Sequence, residues 1–228
     1  MPEAKGLFVT ATSTEVGKTY VTALIVKKLR EAGYNAGYYK AALSGLEKTK
    51  AGLQASDAGY VKQVAGLDED LSNLVTYIYE NPVSPHLAAQ MEGNPVELPL
   101  VKAAYAKAAA KYDYLTMEGS GGIMCPLRYD SSARIFLEDV IKELNLGTVL
   151  VAHAGLGTIN AVVLTVEYMR YRDIAVKGVI LNHFCGSLME LDNKKMIEEL
   201  TGIPVLALVQ ENAVEINLEA GRLAALYA

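Results

Sequence analysis

Residues 8–20 read FVTATSTEVGKTY, and the fold follows from how this stretch is divided. Leu7 to Thr10 is a short apolar run containing β-branched residues, the composition of a buried strand. Gly17-Lys18-Thr19 then opens an amphipathic stretch with Val21, Leu24, Ile25 and Leu29 on one face, which predicts a helix to about Ala32, with Gly33 as its stop. A strand, a turn ending in Gly-Lys-Thr and a helix make a phosphate-binding loop. Gly17 lets backbone approach an anion, and the helix N-terminus favours negative charge there. Lys18 is placed to reach terminal phosphates and Thr19 to offer its hydroxyl to Mg²⁺. The usual pattern has a glycine where this chain has Thr12, so the spacing is a variant.

Outward from the loop, strand and helix alternate to the end of the chain. Strands are expected at residues 35–39, 74–79, 114–117, 148–152, 176–181 and 204–209. Helices are expected at about 57–65, 85–92, 98–112, 135–144, 158–170, 190–200 and 217–227. Between the second strand and the first helix of that series lies a long loop, residues 41–57, with Gly45 and Gly52; loops of this length are usually functional. Several strands are solid apolar runs. This is the signature of an α/β fold, a mainly parallel sheet with helices on both faces, of the P-loop NTPase type. With no repeat or linker, residues 1–228 are expected to form one domain.

Composition excludes several classes. The net charge is −5 and no basic cluster occurs, so a nucleic-acid surface is not expected. No apolar run approaches the roughly 20 residues that span a bilayer, and the N-terminus lacks the layout of a signal peptide. The two cysteines, Cys125 and Cys185, have no metal-type spacing, and a cytoplasmic protein is expected. His86, His153 and His183 have no motif around them.

In parallel sheets ligands bind beyond the carboxyl ends of strands. The residues there are the phosphate loop, Lys40, Asp57, Glu118 with Gly119 to Gly122, His153 to Thr158, and Asn182. Thr19, Asp57 and Glu118 form a hard-oxygen set suited to Mg²⁺, and Lys18 and Lys40 add two cations. Phosphoryl transfer needs such positioning and charge neutralisation. Each carboxylate also has a structural role open to it: Ser56-Asp57 can cap a helix, and Glu118 can simply end a strand.

Several motifs occur in a fixed order. They are Thr12 to Thr19, Tyr39-Lys40 with Ser44-Gly45, Ser56-Asp57, Pro82 to His86, Glu118 to Gly122, and Gly157-Thr158-Ile159-Asn160. In this order they resemble the dethiobiotin synthetase family, from the N-terminus to about Asn212, and Thr-Glu-Val-Gly-Lys-Thr fits that family's loop. The resemblance implies an ATP- and Mg²⁺-dependent ligase of biotin synthesis that joins CO₂ or bicarbonate to diaminononanoate and closes a ring. By position, Lys18, Lys40 and Ser44 would be catalytic, Thr19, Asp57 and Glu118 would hold the metal, and Thr14, Glu15, Val16, Gly17, Lys18, Thr19 and Tyr20 would surround the nucleotide. Asn182 and Glu211 would contact the adenine. Lys40, Ser44, Gly157, Thr158 and Asn160 would bind substrate, its carboxylate end at a homodimer interface. Ala11 stands where the family usually has glycine, at about 1 kcal/mol if that backbone needs positive φ, and residues 123–130 depart from the family's usual segment. The alternatives are a partitioning-type ATPase switch, which would carry a second lysine in the loop where residues 11–16 have none, or a nucleotide-binding module without catalysis, which would be expected to lose Lys18 or a metal carboxylate.

Overall fold

The strand through Lys5–Ala11 (β1) is buried at six of its seven positions, so it can only be interior to a sheet covered on both faces. The structure, a computed structural model, describes residues 4–49, 52–55 and 57–227. After β1 come α1 (Lys18–Glu31) and β2 (Ala36–Leu43), then an antiparallel hairpin of β3 (Glu47–Thr49) and β4 (Gly52–Ala55). Next are α2 (Asp57–Ala65), the single turn α3 (Leu71–Leu74), β5 (Val75–Ile78), α4 (Pro85–Glu92), α5 (Leu98–Ala109) and β6 (Tyr114–Glu118). A second hairpin, β7 (Pro126–Tyr129) with β8 (Arg134–Phe136), leads into α6 (Leu137–Glu143) and β9 (Gly147–His153). The chain continues through α7 (Thr158–Tyr171), β10 (Val176–Asn182), α8 (Leu188–Thr201), β11 (Val205–Leu208) and α9 (Ala220–Ala224).

Seven strands form one sheet in the order β11-β10-β9-β1-β6-β2-β5, and every neighbouring pair is parallel. The two-residue period of β1 divides its side chains between two cores. Phe8 joins Leu115 and Met117 under α5 and α6, whereas Leu7 and Val9 join Leu24, Ile25 and Leu29 of α1 on the other face. The chain reaches β2 from β1 through α1 and skips one position in the sheet. That position is filled later by β6, which therefore lies between β1 and β2.

Five expectations change. Residues 41–57 are not one long loop: β2 continues through the buried Ala41, Ala42 and Leu43, and a hairpin follows. The helix expected at 135–144 starts at Leu137, because Arg134–Phe136 pairs with β7 and the Asp139 carboxylate accepts from the Phe136 N–H at 2.8 Å. The helix expected at 98–112 ends at Ala109, and the one expected at 217–227 shrinks to Ala220–Ala224, where the Glu219 carboxylate caps the N–H groups of Gly221 and Arg222. Ala11 carries no strain. It is an extended strand residue paired with Val151, and the positive-φ non-glycine residues lie elsewhere. Among the described residues no helix is long and apolar enough to cross a membrane.

Beyond α9, Tyr227 closes the α1 face. Its hydroxyl lies 2.7 Å from the hydroxyl of the fully buried Thr116 in β6, and its ring meets Tyr114 edge-on. Tyr227→Phe would orphan the Thr116 hydroxyl and is expected to lower stability by about 1–2 kcal/mol, whereas Thr116→Val combined with Tyr227→Phe is expected to be nearly neutral. Urea unfolding of the two single variants and the double variant measures this; equal costs that simply add would show that the pair does not interact.

Candidate functional site

β6 ends at Glu118, and its two neighbours deliver the partners. In the parallel registers Glu118 stands opposite Val9 of β1 on one side and Lys40 of β2 on the other. The chain leaving β1 turns through residues 12–17 and starts α1 with Lys18 and Thr19. Glu118 Oε1 accepts from Lys18 Nζ at 2.7 Å, from Thr19 Oγ1 at 2.7 Å and from Lys40 Nζ at 3.0 Å. Its Oε2 accepts from the Tyr38 hydroxyl at 3.0 Å. Lys40 also donates to Asp57, the first residue of α2. Ser56 lies outside the described residues.

Glu118 is 1% exposed and Lys40 2% exposed, so this is a charge cluster taken almost wholly out of water. Burial alone would raise the Glu118 carboxyl, but Lys18 and Lys40 overcome it and hold the group at about 2. Burial lowers Lys18 despite the neighbouring carboxylate, with Lys40 pressing in the same direction. For Lys40 burial again acts downward, yet Glu118 and Asp57 outweigh it and its ammonium is held above its ordinary value. Burial and the Glu118 charge push Tyr38 well above the phenol range, so it remains a hydrogen-bond donor.

The loop before Lys18 makes its turn with two left-handed residues, Glu15 at φ 63° and Gly17 at φ 80°. Gly17 is doubly constrained, because a Cβ there would lie 2.0 Å from Asn182 Nδ2. Asn182 donates to the Val16 carbonyl at 3.0 Å, and its buried Oδ1 has no hydrogen-bond partner among the described residues. On the other side, a Cβ on Gly122 would lie 3.3 Å from the Thr12 carbonyl, so the glycine turn after β6 rests against the loop. Thr14, Lys40, Ser44, Asp57, Ser120 and Cys125 line one cleft of about 520 Å³. Ser120 is fixed by donating to the Ala42 carbonyl at 2.7 Å, and burial pushes the Cys125 thiol up to about 11.

Other expected residues stand apart from this cluster. Gly157 (φ 89°), Thr158 and Asn160 form the N-terminus of α7, at the end of β9 and so one strand beyond β1. No side chain caps that terminus, and the buried Thr158 hydroxyl has no partner among the described residues. Glu211 is exposed on the turn after β11. The Tyr20 side chain reaches the segment after β11, its hydroxyl donating to the Ala213 carbonyl. Tyr38 is a cluster member that sequence reasoning missed, although it lies two residues before Lys40 on the same strand face. His153 and His183, set aside in the sequence, stack at 5.0 Å beside the loop, with His183 Nε2 3.5 Å from where a Gly17 Cβ would lie.

The donor chemistry fits Mg²⁺. Thr19, Glu118 and Asp57 all offer oxygen, and among the described residues no group of three or more His, Cys, Asp or Glu side chains forms a metal cage. Two carboxylates and a hydroxyl suit an ion that completes its shell with water and phosphate oxygens.

The sheet order, the loop and the lysine pair define a P-loop α/β protein of the NTPase class. Solved structures share this fold: a chain of the MinC:MinD cell division protein complex from Aquifex aeolicus (TM-score 0.57, 14% identity, 92% of this chain and 82% of that one) and a ParA family ATPase from Chlorobium tepidum (TM-score 0.56, 14% identity, 91% and 85%). A family model described as an AAA domain matches residues 5–216. ATP-dependent dethiobiotin synthetase from Brachyspira hyodysenteriae is 51% identical, covering 94% of this chain and 96% of the relative. The enzyme of the same name from Clostridium perfringens is 50% identical, covering 87% of each chain. The chain belongs to the dethiobiotin synthetase family.

Removing the buried anion tests the cluster. Glu118→Gln leaves Lys18 and Lys40 facing each other, and nucleotide-free protein is expected to lose about 3 kcal/mol at neutral pH. The Glu118 carboxyl has a value of 4.5 when unperturbed and about 2 in the folded chain, so its contribution is complete above 4.5 and is lost as pH falls through 2. Urea midpoints from about pH 3 to 7 should slope less with pH in the variant; an unchanged slope would show that Glu118 is not held ionised by the lysines.

Proposed function

We propose that this chain is an ATP- and Mg²⁺-dependent ligase that carboxylates diaminononanoate and closes the ureido ring of dethiobiotin. The observation that carries the proposal is the meeting of Lys18, Thr19, Lys40 and Asp57 on or beside one buried carboxylate, Glu118, in a chain of this family. One amine of the substrate takes CO₂, losing a proton, to give a carbamate. The carbamate oxygen attacks the γ-phosphorus of ATP and releases ADP. The second amine then attacks the carbonyl of the mixed anhydride, and phosphate leaves as the ring closes.

The difficult encounter is between two anions, the carbamate and the triphosphate. Lys18, at the start of α1, takes the β- and γ-phosphate oxygens, leaving its partner Glu118. Lys40, already in the cleft with Ser44, faces the carbamate and the transferring phosphoryl group. Thr14 to Thr19 surround the phosphates with backbone N–H groups. Thr19, Asp57 and Glu118 would hold Mg²⁺, which when bound supplies positive charge to the phosphate oxygens. Tyr38 keeps Glu118 aimed at this position.

Asn182 offers an unpartnered buried oxygen that suits the amino group of adenine, with Glu211 on the neighbouring turn. A second cleft of about 490 Å³, walled by Ile123, Met124, Leu164 and Tyr168, shares Thr14, Gly121 and Cys125 with the first and has room for a hydrocarbon chain. Gly157, Thr158 and Asn160 present an uncapped helix N-terminus to the substrate carboxylate. We take the working form to be a cytoplasmic homodimer. The likeness to MinD and ParA proteins extends to the fold, and residues 11–16 carry no second lysine, so a partitioning switch is not favoured.

Incubation with diaminononanoate, bicarbonate, Mg²⁺ and ATP should yield dethiobiotin and phosphate in equal amounts; no product would overturn the proposal. Lys18→Gln should lower turnover by about 100-fold or more while the protein stays folded by circular dichroism. Asp57→Asn should raise the Mg²⁺ concentration needed for half-maximal rate, and an unchanged requirement would leave Asp57 only its helix-start role.

A further inference from the structure

Tyr20 follows Thr19 directly, in the first turn of α1, and its hydroxyl reaches the carbonyl of Ala213, 193 residues further along the chain. Two turns along the same face of α1, Lys27 Nζ donates to the Val214 carbonyl at 2.8 Å. Lys28 adds an exposed ion pair to Glu215 at 3.5 Å. Three side chains of the phosphate-loop helix therefore hold three consecutive residues of the segment after β11.

That segment carries Glu211 and Asn212 on a tight turn. Asn212 is left-handed at φ 59°, and the Ala213 N–H donates to the Gln210 carbonyl at 3.3 Å. Behind the turn, Ile216 is fully buried and packs in the same core as Leu24 and Ile25 of α1. The turn is anchored from below by apolar packing and from the side by Tyr20 and Lys27, while Glu211 stays exposed. Across the loop, Asn182 ties β10 to the Val16 carbonyl. Both groups assigned to the base, Asn182 and the 210–213 turn, are thus fastened to the loop that takes the phosphates.

We propose that Tyr20 is a positioning residue for the nucleotide base: it holds the 210–213 turn at a fixed distance from the phosphate loop and does not itself contact phosphate. The inference rests on the ATP site proposed above. It makes base recognition and phosphate binding separable. Tyr20→Phe keeps the ring, which lies 6.5 Å from that of Tyr60, and deletes only the tether.

Calorimetric titration with Mg²⁺ present compares ATP, GTP and inorganic tripolyphosphate, which has phosphates and no base. Tyr20→Phe should weaken ATP about fivefold, the loss of one hydrogen bond, and narrow the preference for ATP over GTP. Tripolyphosphate affinity should stay unchanged. Lys27→Ala, which cuts the second tether outside the first helical turn, should shift ATP in the same direction without moving tripolyphosphate. A parallel weakening of ATP and tripolyphosphate would overturn the inference and make Tyr20 a phosphate contact. Unchanged affinity for all three in both variants would overturn it too. Wild-type protein that binds tripolyphosphate but shows no gain from the base would count against the assigned base site, and one that binds neither would count against the ATP site itself.

Discussion

One carboxylate with almost no access to water organises this molecule. Glu118 receives four hydrogen bonds, three on Oε1 and one on Oε2, and two of the donors are ammonium groups. A buried charge of this kind is tolerated only when its partners are held in place. Its partners come from three separate segments: the start of α1, the middle of β2 and, through Lys40, the start of α2. Satisfying Glu118 therefore fixes how these segments meet. The same arrangement leaves two buried ammonium groups, Lys18 and Lys40, paired with carboxylates.

The topology makes that meeting unavoidable. If β2 followed β1 in the sheet, Lys40 would stand opposite the phosphate loop directly and no carboxylate would come between. Because the crossover leaves a gap and β6 fills it, the carboxyl end of β6 is inserted between two lysine-bearing segments. The parallel registers then bring Glu118 level with Lys40 without any irregularity. The glycines that follow serve the same corner. Glu118 is succeeded by a turn that rests on the Thr12 carbonyl, and only a residue without a side chain fits there without moving the loop.

The sequence made some of this legible and hid the rest for physical reasons. β1 and α1 could be read because burial on both faces leaves a continuous apolar run, and because Gly-Lys-Thr marks the turn between them. Lys40 and Glu118 could be named as candidates near the carboxyl ends of strands, although Lys40 lies within β2, which runs on to Leu43; their opposition across two strands depends on strand order, which no local pattern encodes. Tyr38 was within reach, since it shares a strand face with Lys40, yet a tyrosine in a Tyr-rich run looks like core until the carboxylate beneath it is seen. The β7–β8 hairpin was hidden by its short, mixed strands: Arg128 of β7 is held by Asp130 in the turn and by Glu97 just before α5, contacts that leave no periodicity in the sequence. The short α9 was overestimated because Leu223 and Tyr227, four residues apart, are both buried at helical spacing, yet Tyr227 reaches the core from irregular backbone beyond the helix end.

The unusual spacing of the loop follows from the same constraints. After Ala11 the chain is still bound to β9, the Thr12 N–H donating to the Val151 carbonyl at 3.1 Å. Backbone leaving a strand in that state must reverse before α1 can begin. Here Glu15 and Gly17 make the reversal, two left-handed residues in place of an early glycine. A non-glycine residue at Glu15 has room for its side chain in solvent, where it is exposed. Gly17 has none, because Asn182 occupies the space beneath it. Glycine is thus required where β10 presses on the loop and dispensable where the loop faces water. Ala11 fits for the corresponding reason: the turn begins after it, so its backbone stays extended and its methyl group is simply part of the core shared by α1 and the sheet.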